Sequence, residues 1–211
     1  MIKFENIEVM NFENAIRGMR NPFNSWDKSD SVFDWNTCSY YIGPNDLALA
    51  RKLVKAGSDH RKFLRQIFVS IDITAPLYWW KEFDTYKVGT VANSCSTMHK
   101  IHAKEFVIDD FSHDQMTGTG LTALTSLIYE LNINRDLYIE TKDKQYWYTM
   151  IQLLPSSYNQ KRTCTMTYEN LLNIYFARRH HKLAEWHDVC DLIEGLPNFK
   201  KMCLDGENDG E

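Results

Sequence analysis

Residues 66–83 read Gln66-Ile67-Phe68-Val69-Ser70-Ile71-Asp72-Ile73-Thr74-Ala75-Pro76-Leu77-Tyr78-Trp79-Trp80-Lys81-Glu82-Phe83. Ile67, Val69, Ile71 and Ile73 alternate with Gln66, Ser70, Asp72 and Thr74. Period two in β-branched residues predicts a strand over 66–74 with one buried face. Pro76 then stands where a helix can begin, and the aromatic-rich run 77–87 predicts a buried helix. This stretch therefore reads as a half-buried strand running straight into a buried helix.

Outward from this stretch the pattern continues. Residues 2–10 predict a strand, and residues 11–43 a long, turn-rich and partly mobile loop anchored by Trp26, Phe33, Trp35, Tyr40 and Tyr41. Asn45 is placed to cap a helix over 46–56, with Leu47, Ala50 and Val54 on one face and Gly57 as its stop. Further helices are expected over 121–131, 144–154, 168–178 and 183–193. Residues 1–204 are expected to form a single domain, and the acidic residues 205–211 a disordered tail.

Composition narrows the function. The chain has 211 residues, 44% hydrophobic and 25% charged, which suits a globular domain with a real core. A net charge of -4 argues against a general nucleic-acid face, though a local basic pocket for one nucleotide needs only a few cations. The opening Met1-Ile2-Lys3-Phe4-Glu5 does not read as a secretory leader, and no run approaches the length of a membrane span. Cys38, Cys95, Cys164, Cys190 and Cys203 are scattered and form no CxxC pair, as reduced thiols would be. A cytoplasmic location without membrane or nucleic-acid partners is the expectation.

Several motifs carry chemistry of their own. His99, His102 and His113 form one histidine group, and His180, His181 and His187 with Glu185 and Asp188 another. Neither has HExxH spacing or partnering cysteines, so surface or capping roles are expected and no metal. Cys95 lies between Ser94 and Ser96 with His99 one turn on, but no cysteine-nucleophile signature surrounds it. A small buried thiol is expected there. Residues 89–96 have the small, polar composition of either a ligand loop or a plain connection. GxGxxG, GxxxxGK[ST] and GxSxG are all absent from the sequence. Arg61, Lys62, Arg65, Lys81, Lys87, Arg178, Arg179 and Lys182 supply guanidinium forks and ammonium groups suited to phosphates. Each reads equally as part of a solvated helix face.

Three segments together resemble the flavin-dependent thymidylate synthase family: 75–83 following the strand and His60-Arg61; Asn93-Ser94-Cys95-Ser96-Thr97, similar to an Asn-Glu-x-Ser signature; and 168–186, similar to a C-terminal helix in which Asn173 and Arg178 would face the ligand. The resemblance spans roughly residues 45–195 and implies the α/β fold, of α+β type, of thymidylate synthase-complementing proteins, a central sheet with flanking helices. It implies binding of FAD and of a pyrimidine nucleotide such as dUMP, and assembly as a homotetramer. It further implies methylation of the nucleotide with a methylene-folate carbon donor, using NADPH as reductant. Under it His60, Arg61, Asn173 and Arg178 would bind the cofactor, and Lys87, Ser96 and Arg178 the nucleotide; no catalytic residue is implied.

The departures lie in the phosphate ligands. Thr85-Tyr86-Lys87 stands where the family has Arg-His-Arg, Met98-His99 follows the serine in place of Arg-Tyr, and Ser94 and Glu169 replace a Glu and an Arg. Lys87 offers a point charge instead of a bidentate fork, and Glu169 would repel a phosphate. Arg17, Arg20, Arg61, Arg65 and Arg179 are the available replacements. The competing reading is a pseudoenzyme that keeps the fold as a nucleotide-binding or protein-interaction module.

Overall fold

The structure, a computed structural model, describes residues 2–205. The acidic residues from 206 onward, the greater part of the expected tail, lie outside the described residues.

Among the described residues one four-stranded sheet has the order β1 (Lys3–Met10), β4 (Phe68–Pro76), β6 (Asn159–Thr167), β5 (Val91–Ser94). A separate antiparallel hairpin pairs β2 (Val32–Asp34) with β3 (Ser39–Tyr41). The helices are α1 (Phe12–Gly18), α2 (Pro44–Lys55), α3 (Leu77–Phe83), α4 (Gly118–Thr141), α5 (Lys144–Leu153), α6 (Tyr168–Arg178), α7 (Ala184–Gly195) and α8 (Phe199–Cys203). This is the mixed α/β architecture expected. β4 keeps its alternation, with Val69, Ile71 and Ile73 buried.

The chain divides into two compact units, and each strand of the sheet runs from one into the other. The first unit comprises residues 2–5, 72–86 and 92–163. Its α3 is short because Asp84 closes it, but Trp79, Trp80 and Phe83 are all buried on it. Trp79 stacks on Phe83 at 5.1 Å, and Trp80 donates its indole N–H to the Gln160 carbonyl at 2.9 Å. Burying rings of this size contributes on the order of 2–3 kcal/mol each. A second cluster of Ile101, Phe106, Phe111, Leu124, Leu131 and Met150 packs under α4 and α5. The Asn132 amide accepts from the Phe106 N–H and donates to its carbonyl, both at 2.9 Å, pinning the loop to α4. Helix α4 runs ten residues past its expected end at Leu131, and Leu121, expected on the inner face, is exposed.

The second unit comprises residues 6–71, 87–91 and 164–205. Trp186, Tyr168 and Phe199 lie at its centre, and Tyr168 donates its hydroxyl to the Pro197 carbonyl at 2.8 Å. Burial drives the Tyr168 phenol far above its ordinary pKa. Residues 11–43, expected as a long loop, hold α1, two short 3-10 turns and the β2–β3 hairpin. The reason is Asp46. Its buried carboxylate accepts from Arg20 Nε, from the Ser29 and Ser31 hydroxyls, and from the backbone N–H groups of Asp30 and Ser31. The Asp30 side chain in turn accepts from the Asn45 and Asp46 N–H groups, so Asp30, not Asn45, caps α2. Gly43 is required there because a Cβ would sit 2.3 Å from the Asp30 carboxylate.

Candidate functional site

His60, Arg61, Lys87, Asn173 and Arg178 all belong to the second unit; Ser96 belongs to the first. In the second unit the site grows from the start of α6. Thr167 and Asn170 form a reciprocal capping box, the Thr167 hydroxyl accepting from the Asn170 N–H at 3.2 Å and the Asn170 amide oxygen accepting from the Thr167 N–H at 3.0 Å. The other end of the Asn170 amide donates to the Val88 carbonyl at 2.7 Å. Gly89 follows at φ 72°, where a Cβ would lie 2.9 Å from that amide oxygen. One side chain thus caps the helix and ties down the loop that carries the exposed Lys87. Asn170 was not singled out from sequence, yet the Thr-x-x-Asn spacing ahead of an apolar run is a readable cap.

One turn further on lies a three-residue cluster. Arg61 directs its Nε–H at both carboxylate oxygens of Glu169, at 3.0 and 3.1 Å, and its Nη2 at the Asn173 amide oxygen at 3.2 Å. The pair is shielded, with the Arg61 and Glu169 side chains 18% and 10% exposed. This corrects the expectation for Glu169: the carboxylate is neutralised within the chain, and the same bond takes Nε of Arg61 out of any phosphate fork. Below the pair Cys203 is buried, and that burial pushes its thiol up to about 12; Arg61 opposes the rise and Glu169 adds to it. His60 is exposed next to Arg61.

Asn173 and Arg178 are five residues apart, which on an α-helix separates them by about 140°. Asn173 accordingly shares the Arg61 side, whereas the Arg178 guanidinium lies 4.7 Å from the centre of the Trp186 ring. The structure therefore brings Arg61 and Asn173 together, and sets Arg178 on a different aspect of the helix.

The other expected phosphate ligands are also occupied. Arg20 is buried against Asp46, Arg17 donates to the Asn14 amide oxygen at 2.9 Å, Arg65 to the Ser58 carbonyl at 2.8 Å, and Arg179 lies over the Phe176 ring.

In the first unit the Ser96 hydroxyl accepts from the backbone N–H groups of Met98 and His99, at 3.2 and 2.9 Å. That is the geometry of a turn hydroxyl. Cys95 is exposed, which corrects the expectation of a buried thiol. Its backbone is gripped from both sides: its N–H donates to the Lys161 carbonyl, and its carbonyl accepts from the Gln160 amide at 2.6 Å. Val91 to Ser94 pair as β5, so most of the small, polar segment 89–96 is a sheet strand and its end. A cation that sequence reading did not identify stands beside it. Arg162 lies over Trp80, 4.1 Å from the ring centre, and donates to Asp84 at 2.7 Å and to Gln160 at 2.9 Å. Tyr86 and Met98, half-buried and exposed respectively, stand where the resemblance expects ligand-facing residues.

Among the described residues no group of three or more metal-ligating side chains is gathered to hold an ion, and no helix is long and apolar enough to cross a membrane.

No family model matches the chain, and no curated protein sequence is similar to it. Solved structures are. Thymidylate Synthase X (ThyX) from Helicobacter pylori, crystallised with FAD and dUMP, superposes with a TM-score of 0.70 at 15% identity, covering 100% of both chains. A second flavin-dependent ThyX complex with FAD and dUMP from Helicobacter pylori gives 0.67 at 15% identity over 96% of this chain and 99% of that one. The UMP/dUMP methylase PolB from Streptomyces cacaoi, bound with 5-Br dUMP, gives 0.61 at 11% identity over 98% and 94%. The chain has the fold of the flavin-dependent thymidylate synthases over its whole length.

Proposed function

We propose that this chain binds FAD and a pyrimidine nucleotide of the dUMP type. The observation that carries the reading is the full-length likeness, at a TM-score of 0.70, to a ThyX crystallised with both ligands. The residues of the second unit fit a flavin nucleotide in part. Lys87 is an exposed ammonium on a loop fixed by Asn170, Arg178 is a guanidinium stacked on an indole, and Asn173 with the remaining N–H groups of Arg61 offers a neutral polar face. In this reading Lys87 and Arg178 hold phosphate charge, and Asn173 and His60 position the cofactor. Ser96 keeps its turn, its oxygen accepting from the Met98 and His99 N–H groups, and donates its O–H to the nucleotide. When bound, the flavin supplies the hydride chemistry; the residues named bind and orient.

The further steps of the reading are methylation of the nucleotide with a methylene-folate carbon and NADPH as reductant, in a homotetramer. Support for assembly comes from apolar side chains left exposed on α4 and α5, notably Leu121, Tyr129, Ile133, Ile139 and Tyr148.

A second reading, a nucleotide-binding module without synthase activity, rests on the Arg61–Glu169 pair, which spends a fork the phosphate would need. The two separate in one experiment. Purified protein incubated with FAD is passed through gel filtration, and its absorbance is read between about 350 and 500 nm. Flavin bands that elute with the protein and shift on adding dUMP support the first reading. Retained flavin with no dUMP response keeps only the flavin half of the first reading, and no retained flavin, even with excess FAD, rejects the first reading and leaves the second.

A further inference from the structure

The second unit also holds a cavity of about 440 Å³, lined by none of His60, Arg61, Lys87, Asn173 or Arg178, between the start of α1, the β2–β3 hairpin and the turn ahead of α8. Its walls are aromatic. Phe12 and Tyr40 pack at 5.0 Å, and Phe33, braced edge-on by Trp35 at 4.8 Å, closes the hairpin side. Its rim is acceptor-rich. The Glu13 carboxylate has no hydrogen-bond partner among the described residues, and Asn198 uses its amide N–H on the Tyr40 carbonyl, which leaves its oxygen available. No lysine, arginine or histidine is found among the described residues lining the cavity.

The charge balance is one-sided. Burial first, and then the charges of Asp46 and Glu13, hold the Tyr40 phenol above its ordinary pKa despite a hydrogen bond with Ser31. A phosphate or carboxylate would meet the Glu13 carboxylate with no cation in the lining itself, since Arg17, one turn on along α1, is directed at the Asn14 amide oxygen. A cation would meet the Phe33 and Tyr40 rings and the Glu13 carboxylate at once, and aromatic rings beside a carboxylate are the combination that recognises organic ammonium groups. A cavity of this size also falls in the range of small-molecule sites, above that of a bare inorganic ion.

We propose that this cavity binds a small organic cation carrying a methylated or aromatic ammonium head, held against Phe12, Phe33 and Tyr40 with Glu13 as counter-charge. The site is independent of flavin binding.

Choline and its uncharged isostere 3,3-dimethylbutan-1-ol serve as the probes, because they match in shape and differ in charge. In a ligand-observed NMR titration of the intact protein at low ionic strength, choline is expected to bind at least roughly fivefold more tightly than the isostere. Glu13→Gln, at an exposed position in the first turn of α1, should abolish that preference, and Phe33→Ala on the hairpin should weaken choline by a similar factor; thermal melting confirms that both variants are folded. FAD should leave the choline titration unchanged. Equal binding of the two probes by the unmodified protein, no saturable choline binding, or folded variants that bind choline as the wild type does would each overturn the proposal.

Discussion

Two arginine–carboxylate pairs in the second unit look alike in a list of ion pairs and differ in what surrounds them. Arg20–Asp46 is enclosed, at 4% and 0% exposure, and Asp46 collects further bonds from Ser29, Ser31 and two backbone N–H groups. Arg61–Glu169 is only shielded; the Glu169 bonds come from Arg61, which also reaches Asn173. The first pair is the organiser of a 26-residue segment, since Arg20 and Asp46 stand that far apart in the chain and every bond between them folds it back. The second lies on the helix that the resemblance assigns to ligand binding, with guanidinium N–H groups still to offer. A buried carboxylate satisfied several times over fixes structure, whereas one held by a single flexible arginine can be renegotiated by a ligand.

The contrast can be broken at the Asp46 end with the largest effect. Asp46→Ala leaves the Arg20 charge buried and uncompensated and frees the Ser29–Ser31 loop, and urea denaturation should register a loss of about 3–5 kcal/mol. The same carboxylate sets a pH signature. Burial raises its pKa, but the hydrogen bonds from Ser31, Ser29, Arg20 and the Asp30 backbone outweigh burial and hold it below the ordinary value. A depressed folded-state pKa means that its contribution is complete above the unfolded value, near 4, and is lost as pH falls through the folded one. Asp46→Asn should therefore lose stability less steeply than wild type in acid denaturation below about pH 4.

Arg61→Ala tests the other pair and should cost less, about 1–2 kcal/mol, because Glu169 keeps some access to water. Glu169→Gln sharpens the comparison further. It frees the Arg61 fork, and in the proposed reading it tightens binding of a phosphate-bearing flavin relative to riboflavin in a fluorescence titration. Ser96→Ala should be the mildest, within about 0.5 kcal/mol in thermal melting, since only a surface turn loses two hydrogen bonds.

What could be read from sequence follows the range of the interactions. β4 and α6 were legible because their patterns are local: alternation in 66–74, and an apolar 3.6-residue stripe over 168–178. β6 was not identified, because Gln160 and Arg162 on one face and Lys161 and Thr163 on the other make its first half polar on both sides. Those polar side chains are satisfied by partners far away, Lys161 by Glu5 and Asp72, Arg162 by Asp84. The hairpin at 32–41 was hidden by strands of three residues each, and the residues leading into it are held by a distant partner, the Ser31 N–H donating to Asp46. The candidate site shows the same limit. Asn173 and Arg178 could be named from one helix, but the pairing of Arg61 with Glu169 joins residues 108 apart and changes the role of both. No local pattern carries that information.

In the proposed function the chain holds FAD, with Arg178 among its ligands. The most direct test is a fluorescence titration of FAD with wild type and with Arg178→Ala, both checked for folding by thermal melting. The account predicts saturable binding by wild type and affinity weakened by roughly tenfold or more in the variant, the loss expected for one charge-assisted phosphate contact. Saturable binding that Arg178→Ala leaves unchanged, or no binding by wild type at excess FAD, would contradict it.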